Sequence, residues 1–413
     1  MERGRGAIVM YPQIERVKLK NYRSIAKCNV SIRPLTVLVG PNGSGKSNFI
    51  DALRFLRDGL RSTLDQAVRD RGGVTQVRRV SAGHPNNFSI SVELEITSAR
   101  RALYGVTIGA LPDARFQVLQ EQCTVTRELM QEDSTFTVQR GQLVGGPKDL
   151  PQTIEPDRLF LTLASALPEY RPVYDALSQA GFYNLNPDRL RDVQDPDPGQ
   201  ILERDGRNIA SVLRRMADDE DPALQRVFDY LRSAVPGLDR VRSVALGPKE
   251  TLEFFQTVAG SESKWRFPAQ GMSDGTLRFL GVLIAIFQGT GRRSEARHVP
   301  LIGIEEPEMA IHPGAALKLM DAIMEAKEKS QIILTTHSPE LLDHADLRAD
   351  QILAVQSHAG ETLIAEVDEA SPSMIQDQLL TAGELLRQNQ IEPSRKVYEQ
   401  SVRQMQLFQF DEV

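Results

Sequence analysis

Gly40-Pro41-Asn42-Gly43-Ser44-Gly45-Lys46-Ser47 carries the spacing GxxxxGKS, a set of residue types that can hold a phosphate chain. Glycines let successive backbone N–H groups turn toward phosphate oxygens, and the helix that follows adds partial positive charge from its N-terminus. Lys46 is placed to hold the β and γ phosphates and Ser47 to ligate Mg²⁺. At average residue usage the four fixed positions match by chance in roughly one chain in a hundred of this length, so the chemistry to expect is ATP binding with Mg²⁺. Downstream, Glu305-Glu306-Pro307-Glu308 ends one apolar run and Thr335-Thr336-His337-Ser338 ends another. A carboxylate at the carboxyl end of a parallel strand beside a phosphate loop can hold Mg²⁺, and its neighbour can polarise a water. Glu305 is assigned to the metal and Glu306 to the base, with an exchange of the two roles left open. A lone histidine is more often structural than catalytic. In this company His337 is expected to sense the γ-phosphate through a hydrogen bond that disappears after hydrolysis.

These residues need strands and helices to aim them. The run Leu35-Thr36-Val37-Leu38-Val39 stops at Gly40 and reads as a buried strand, and Phe49, Leu53, Leu56 and Leu60 repeat at helical spacing behind the loop. From about 88 to 140 the period becomes two, with Phe88, Ile90, Val92, Leu94 and Ile96 alternating, which predicts an antiparallel meander. Residues 156–235 look helical, broken by Pro187, Pro196 and Pro198 and by Asp218-Asp219-Glu220-Asp221, expected to be a solvated linker. Leu252 to Phe255 and Trp265 to Phe267 suggest a hairpin, and Ser273 a cap for the apolar helix Leu277 to Phe287. Apolar strands Val299–Ile304 and Gln331–Thr335 alternating with helices imply a parallel sheet with crossovers. The fold expected is α/β: a P-loop NTPase with a mixed sheet flanked by helices and an inserted α+β lobe. Its boundaries are 1–87 for the lobe with the phosphate loop, 88–258 for the insertion, 259–370 for the second lobe and 371–413 for a helical tail.

Composition narrows the class further. The 413 residues are 41% hydrophobic and 25% charged without biased tracts, so collagen-like, disordered and coiled-coil chains are excluded. Formal charge is 49 − 55 = −6, which argues against a protein that coats nucleic acid by bulk positive charge. Cys28 and Cys123 are far apart and fit neither a disulfide framework nor a zinc site, so a reducing cytoplasm is expected. Apolar runs fall short of the roughly 20 residues of a membrane span, and Met1 to Val9 lack the apolar core of a secretory signal.

Three motifs and a turn in the order phosphate loop, Ser273-Asp274-Gly275, acidic strand and histidine strand resemble the ATPase heads of the ABC superfamily, within it the RecF/SMC-like group. Asn21-Tyr22-Arg23-Ser24, Met272 to Arg278, Ile304 to Glu308 with Ile311-His312-Pro313, and Thr335 to Pro339 look like the ATPase half of OLD-family proteins. The resemblance covers 14–80 and 265–355. It implies that Arg23 meets nucleotide phosphate together with Asn42, Gly43, Ser44, Gly45, Lys46, Ser47 and Asn48. It also implies that Ser273, Asp274 and Gly275 meet the γ-phosphate of ATP on a second subunit, giving a head-to-head homodimer with two ATP molecules between the heads. His312 and Pro313 would lie in the segment crossing toward the opposite site. The sequence departs from the family pattern in carrying Glu305 where Asp is common and Asp274 where Gly is common. A glutamine bridging Mg²⁺ is expected, with Gln76 the weak candidate. No SMC-type coiled coil lies between Ser47 and Ser273, and no acidic nuclease cluster follows 355.

The function expected is an ATP-driven conformational switch in DNA repair or defence against foreign DNA, working with a separately encoded, nuclease-like effector and without a membrane. Arg78-Arg79, Arg100-Arg101, Arg189 with Arg191, Arg214-Arg215 and Arg292-Arg293 would line a DNA path, although such pairs are more often plain surface. The alternative is an ATP-gated docking regulator with slow hydrolysis, using Phe254, Phe255, Trp265 and the segment Met374 to Phe410 as its surface.

Overall fold

The computed structural model describes residues 11–81, 83, 85–127, 133–261, 263–289, 298–368 and 380–407. Strands β1 (Gln13–Tyr22) and β2 (Ile25–Ser31) form a hairpin whose tight turn holds Asn21 and Arg23 at positive φ. The buried strand β3 (Leu35–Val39) leads through the glycine-rich loop into α1 (Lys46–Arg61), followed by α2 (Leu64–Arg69) and α3 (Val74–Val77). The period-two segment forms β4 (Asn87–Thr97), β5 (Arg100–Ala110), β6 (Phe116–Arg127), β7 (Ser134–Gln139) and β8 (Gln142–Gly145). These strands complete a seven-stranded sheet of order β2-β1-β4-β5-β6-β7-β8, with β4 antiparallel to β1. The expected insertion at 88 therefore begins inside the first lobe's own sheet. The β1–β2 hairpin supplies the edge on which β4 pairs, and the alternating apolar face packs against α1, where Phe88 meets Phe55.

Short helices α4 (Leu161–Ala164) and α5 (Arg171–Ser178) lead to β9 (Gly181–Tyr183) and then to α6 (Pro187–Arg191), α7 (Ile209–Asp218) and α8 (Pro222–Ala234). The acidic run expected as a linker is a tight helix–helix joint: Asp218 ends α7, and Asp221 caps α8 by accepting from the Ala223 N–H at 2.9 Å. A small sheet follows from β10 (Leu238–Leu246), β11 (Lys249–Gln256) and β12 (Trp265–Pro268). The expected hairpin is thus the β11–β12 half of a three-stranded unit.

Ser273 caps the buried α9 (Asp274–Phe287), after which β13 (Leu301–Glu305), α10 (Pro313–Ala326), β14 (Gln331–Thr336) and α11 (Pro339–Leu342) alternate. The hairpin β15 (Ile352–His358) and β16 (Glu361–Glu366) precedes α12 (Ala382–Arg387) and α13 (Arg395–Leu407). A six-stranded sheet runs β16-β15-β3-β14-β13-β9, parallel except at its β15–β16 edge. Both faces are covered: Leu38, Leu301, Ile333 and Leu353 join the core under α1 and the antiparallel sheet, while Val37, Ile302, Ile304 and Leu334 join the core under α9 and α10. Burying each such side chain contributes about 1.5–3 kcal/mol. The fold is a mixed sheet flanked by helices, with the glycine-rich loop between β3 and α1. Among the described residues no helix is long and apolar enough to cross a membrane. Residues 369–379 and 408–413, which include both ends of the segment Met374 to Phe410 expected as a docking surface, lie outside the described residues, and α13 folds back on β2 through Tyr398 and Ser401.

Candidate active site at the carboxyl edge of the parallel sheet

Adjacent parallel strands bring the motifs together. Val39 pairs with Thr336, and Thr335 pairs with Glu305, so β3, β14 and β13 release the phosphate loop, His337 and the acidic turn at one edge. Lys46 is buried, and its ammonium donates to the carbonyls of Gly40 at 2.7 Å and Pro41 at 3.0 Å. Burial pulls its pKa below the usual lysine value, while the charges of Glu306 and Glu308 pull it back. Ser44 Oγ is buried in the loop without a hydrogen-bond partner, an orphan that a phosphate oxygen would satisfy. Asn42 and Gly43 are exposed on the loop, and Ser47 is exposed in the first turn of α1.

The loop is held from outside the motif. Asn48 Nδ2 donates to Ser24 Oγ at 2.7 Å, Ser24 and Thr362 hydroxyls lie 2.7 Å apart, and Thr362 Oγ1 donates to the Ser44 carbonyl at 2.9 Å. Gly45, at φ 105°, would bring a Cβ to 2.1 Å from Thr362 Oγ1, so only glycine fits. Asn48 is thus engaged with the β1–β2 turn. Arg23, from that same turn, pairs with Asp51 of α1 at 3.0 Å. Burial raises the Asp51 pKa, but Arg71, Arg54 and Arg23 outweigh it and hold the carboxyl below its usual range. Gln76 is exposed on α3, and none of its described contacts reaches Ser47 or Glu305.

Glu305 sits mostly shielded at the end of β13 and accepts from Arg204 Nη2 at 3.0 Å. Glu306 adopts φ 45°, a left-handed conformation costing about 1–2 kcal/mol for a non-glycine residue, held by its N–H donating to the Thr335 carbonyl at 3.0 Å. Its carboxylate lies 3.5 Å from His337 Nδ1. Glu308 is buried behind it, accepting from Thr336 Oγ1 at 2.6 Å, and burial raises its pKa. Ser47, in the first turn of α1, and Glu305, at the end of β13, are a hydroxyl and a carboxylate of the kind that Mg²⁺ takes, the ion completing its shell with phosphate and water. Among the described residues no cluster of three His, Cys, Asp or Glu is built as a metal cage.

The signature turn is exposed at Ser273 and Asp274, and Ser273 Oγ accepts from the Thr276 N–H at 3.2 Å. Asp274 is ion-paired with Arg191 of α6. A Cβ on Gly275 would meet the Ala310 carbonyl at 2.4 Å, so the turn packs directly on the chain leaving the acidic strand. Arg278 of α9 is buried and donates to the Glu306 carbonyl at 3.2 Å and the Glu305 carbonyl at 3.4 Å. His312 caps α10 by accepting from the Gly314 N–H.

A model of the family described as "AAA domain, putative AbiEii toxin, Type IV TA system" matches residues 35–343, from β3 through the acidic strand to α11. The chain belongs to this AAA-domain family. Among curated proteins it is 22% identical over 350 residues to the Old nuclease of Escherichia phage P2, covering 81% of this chain and 58% of that one. It is 24% identical over 370 residues to the OLD nuclease of Thermus scotoductus, covering 80% and 60%. The chain thus spans about three fifths of the length of these relatives. A 63-residue stretch is 48% identical to the chromosome partition protein Smc of Methanocaldococcus jannaschii, covering 15% of this chain and 5% of that one. Two solved Smc heads, one bound to the C-winged helix domain of ScpA and one from Pyrococcus furiosus, share its fold at TM-score 0.55 with 14% and 13% identity, covering 87% and 89% of this chain and 99% of theirs. This AAA-domain protein is an ATPase of the ABC type, related to OLD and SMC proteins.

In the AAA-domain structure the arginine pairs expected along a DNA path are spent locally. Arg79 donates to the Ser24 carbonyl and Arg78 to that of Pro85; Arg101 pairs with Glu15, Arg189 with Asp192, Arg214 with Glu250 and Arg215 with Asp219. Arg100 reaches the Glu169 carbonyl, and Arg292 and Arg293 lie outside the described residues. Phe254 is in the core and Phe255 is covered, so of Phe254, Phe255 and Trp265 the exposed one is Trp265. Sequence reasoning missed Thr362, Asp51, Arg204 and the bracing role of Arg278.

Proposed function

We propose that two copies of this chain close on ATP, the phosphate loop of each facing the Ser273–Gly275 turn of the other, and part after hydrolysis. The observation carrying it is the convergence of Lys46, Glu306 and His337 at one sheet edge, with the signature helix bolted to that edge by Arg278. Lys46 would leave the Gly40 and Pro41 carbonyls for the β and γ phosphates, and Ser44 Oγ would gain an acceptor. Ser47 and Glu305 would hold Mg²⁺, whose charge neutralises the phosphate oxygens when bound. Glu306 takes a proton from the attacking water, and His337, 3.5 Å from that carboxylate, donates to the γ-phosphate. Exposure of Ser273 and Asp274 leaves the signature turn open to a second subunit, with Arg191 offsetting a carboxylate that would oppose a triphosphate. Arg23 contributes a further cation beside the phosphates. The switch acts in DNA repair or defence against foreign DNA with a nuclease-like effector, a role supported by the relationship to OLD nucleases.

Lys46→Ala is expected to abolish ATP binding in calorimetric titration, and wild-type affinity would remove the phosphate-loop assignment. Glu306→Gln is expected to keep ATP binding while turnover falls about 10²- to 10⁴-fold, the usual worth of a general base. Undiminished phosphate release by that variant would assign the base elsewhere.

A further inference from the structure

The small sheet before the signature helix carries a cluster that the ATP site does not use. Phe255 of β11 pairs across the strands with Arg240 of β10 on one side and Arg266 of β12 on the other. The guanidinium carbons of Arg240, Arg242 and Arg266 lie 4.6, 5.1 and 5.8 Å from the centre of its ring. Together they leave the ring only 6% exposed, while all three arginines remain exposed themselves. The opposite face of the sheet, with Val241, Leu252 and Phe254, is buried in the core, so the arginine face is held rigidly outward. Arg242 is paired with Glu253 at 2.6 Å, and nearby Lys264 with Asp239 at 2.7 Å. Among the described residues Arg240 and Arg266 have no ion pair.

We propose that this arginine-capped sheet face binds the phosphodiester backbone of DNA without regard to sequence. Guanidiniums lying over a ring keep their N–H edges free, and that planar fork matches phosphate oxygens. Packing on Phe255 fixes the arginines before the ligand arrives, lowering the entropy lost on binding. An acidic protein would need an apolar anchor beside the charges. On this face Phe255 offers none, since the arginines cover it. The exposed Trp265 stands at the neighbouring register position opposite Gln256, which belongs to the other face of the sheet. The chain's net charge of −6 opposes a polyanion elsewhere, so contact is confined to local basic faces such as this one. The assignment names the ligand surface of the switch proposed above, yet it needs no nucleotide at Lys46.

Fluorescence anisotropy of a short labelled DNA duplex, and of its single strand, tests the idea between about 50 and 200 mM salt. Wild-type protein should bind. Arg240→Ala/Arg242→Ala/Arg266→Ala should weaken binding by about ten- to a hundredfold and reduce the slope of log K against log salt by about 2, one contact each for Arg240 and Arg266, since Arg242 is held by Glu253. The same variant should titrate ATP like wild type, so a failure of the nucleotide site, read separately from Lys46→Ala, is not confused with a failure of this face. Should the triple variant misfold, Arg240→Gln and Arg266→Gln, each lowering the slope by about 1, replace it. Absent DNA binding by the wild type, an unchanged slope in the variants, or equal displacement by polyglutamate would overturn the proposal.

Discussion

Thr362 braces the phosphate loop from a strand far along the chain, and its hydroxyl is the donor that the Ser44 carbonyl depends on. Thr362→Val keeps the shape and removes that donor, and leaving a buried acceptor unmet costs about 1–3 kcal/mol. If the loop's geometry for phosphate rests on this bond, ATP affinity should fall roughly tenfold or more, since about 1.4 kcal/mol is tenfold. Calorimetry on the variant decides it, and unchanged affinity would reduce Thr362 to a packing residue. At this scale the sequence was most legible where chemistry demands fixed spacing: Lys46 opens the helix after β3, Glu305 and Glu306 lie at the end of β13 and His337 follows β14, three strands that pair side by side, while the roles of these residues are part of the proposal. Thr362 and Asp51 were illegible because nothing local marks a hydroxyl or carboxylate whose partners lie on other elements. Arg278 stood inside a motif, yet a lone arginine in an apolar helix does not reveal the two carbonyls it holds.

Among elements, periodicity predicted strand type and the crossovers but not which edges pair, and so β4 was assigned to an insertion although it lies against β1. The joint between this antiparallel sheet and the helices beyond it is Glu121 of β6. Its carboxyl accepts from the N–H groups of Phe160 and Leu161 at 2.6 and 2.8 Å and from Tyr104 OH at 3.0 Å. Burial pushes its pKa up to about 7 against the pull of these three donors. A carboxyl raised in the folded state binds its proton more tightly there than in the unfolded chain, so stability is lost as pH rises from about 4.5 to about 7. The loss amounts to about 3 kcal/mol, at 1.36 kcal/mol per pH unit of difference. Urea unfolding at pH 5 and pH 8 should show it, and Glu121→Gln should flatten this part of the profile. Identical profiles for wild type and variant would take Glu121 out of the pH response.

For the whole molecule, the two lobes share one parallel sheet, and the phosphate loop and signature helix are linked through the β13 edge. A ligand shifts an equilibrium only by its differential contacts with the two states, so a head that joins a second copy on ATP needs γ-phosphate contacts made across the joint as well as within one chain. On the proposed reading the exposed Ser273–Asp274 turn would supply those contacts in trans. Light-scattering mass of Glu306→Gln, with Mg²⁺ and with or without ATP, reads this most directly, since blocked turnover holds the joined state. The account predicts a mass near 46.0 kDa without nucleotide and about twice that with ATP, with the shift abolished by adding Ser273→Arg. A mass that stays at 46.0 kDa at saturating ATP, in a variant shown by titration to hold the nucleotide, would contradict it.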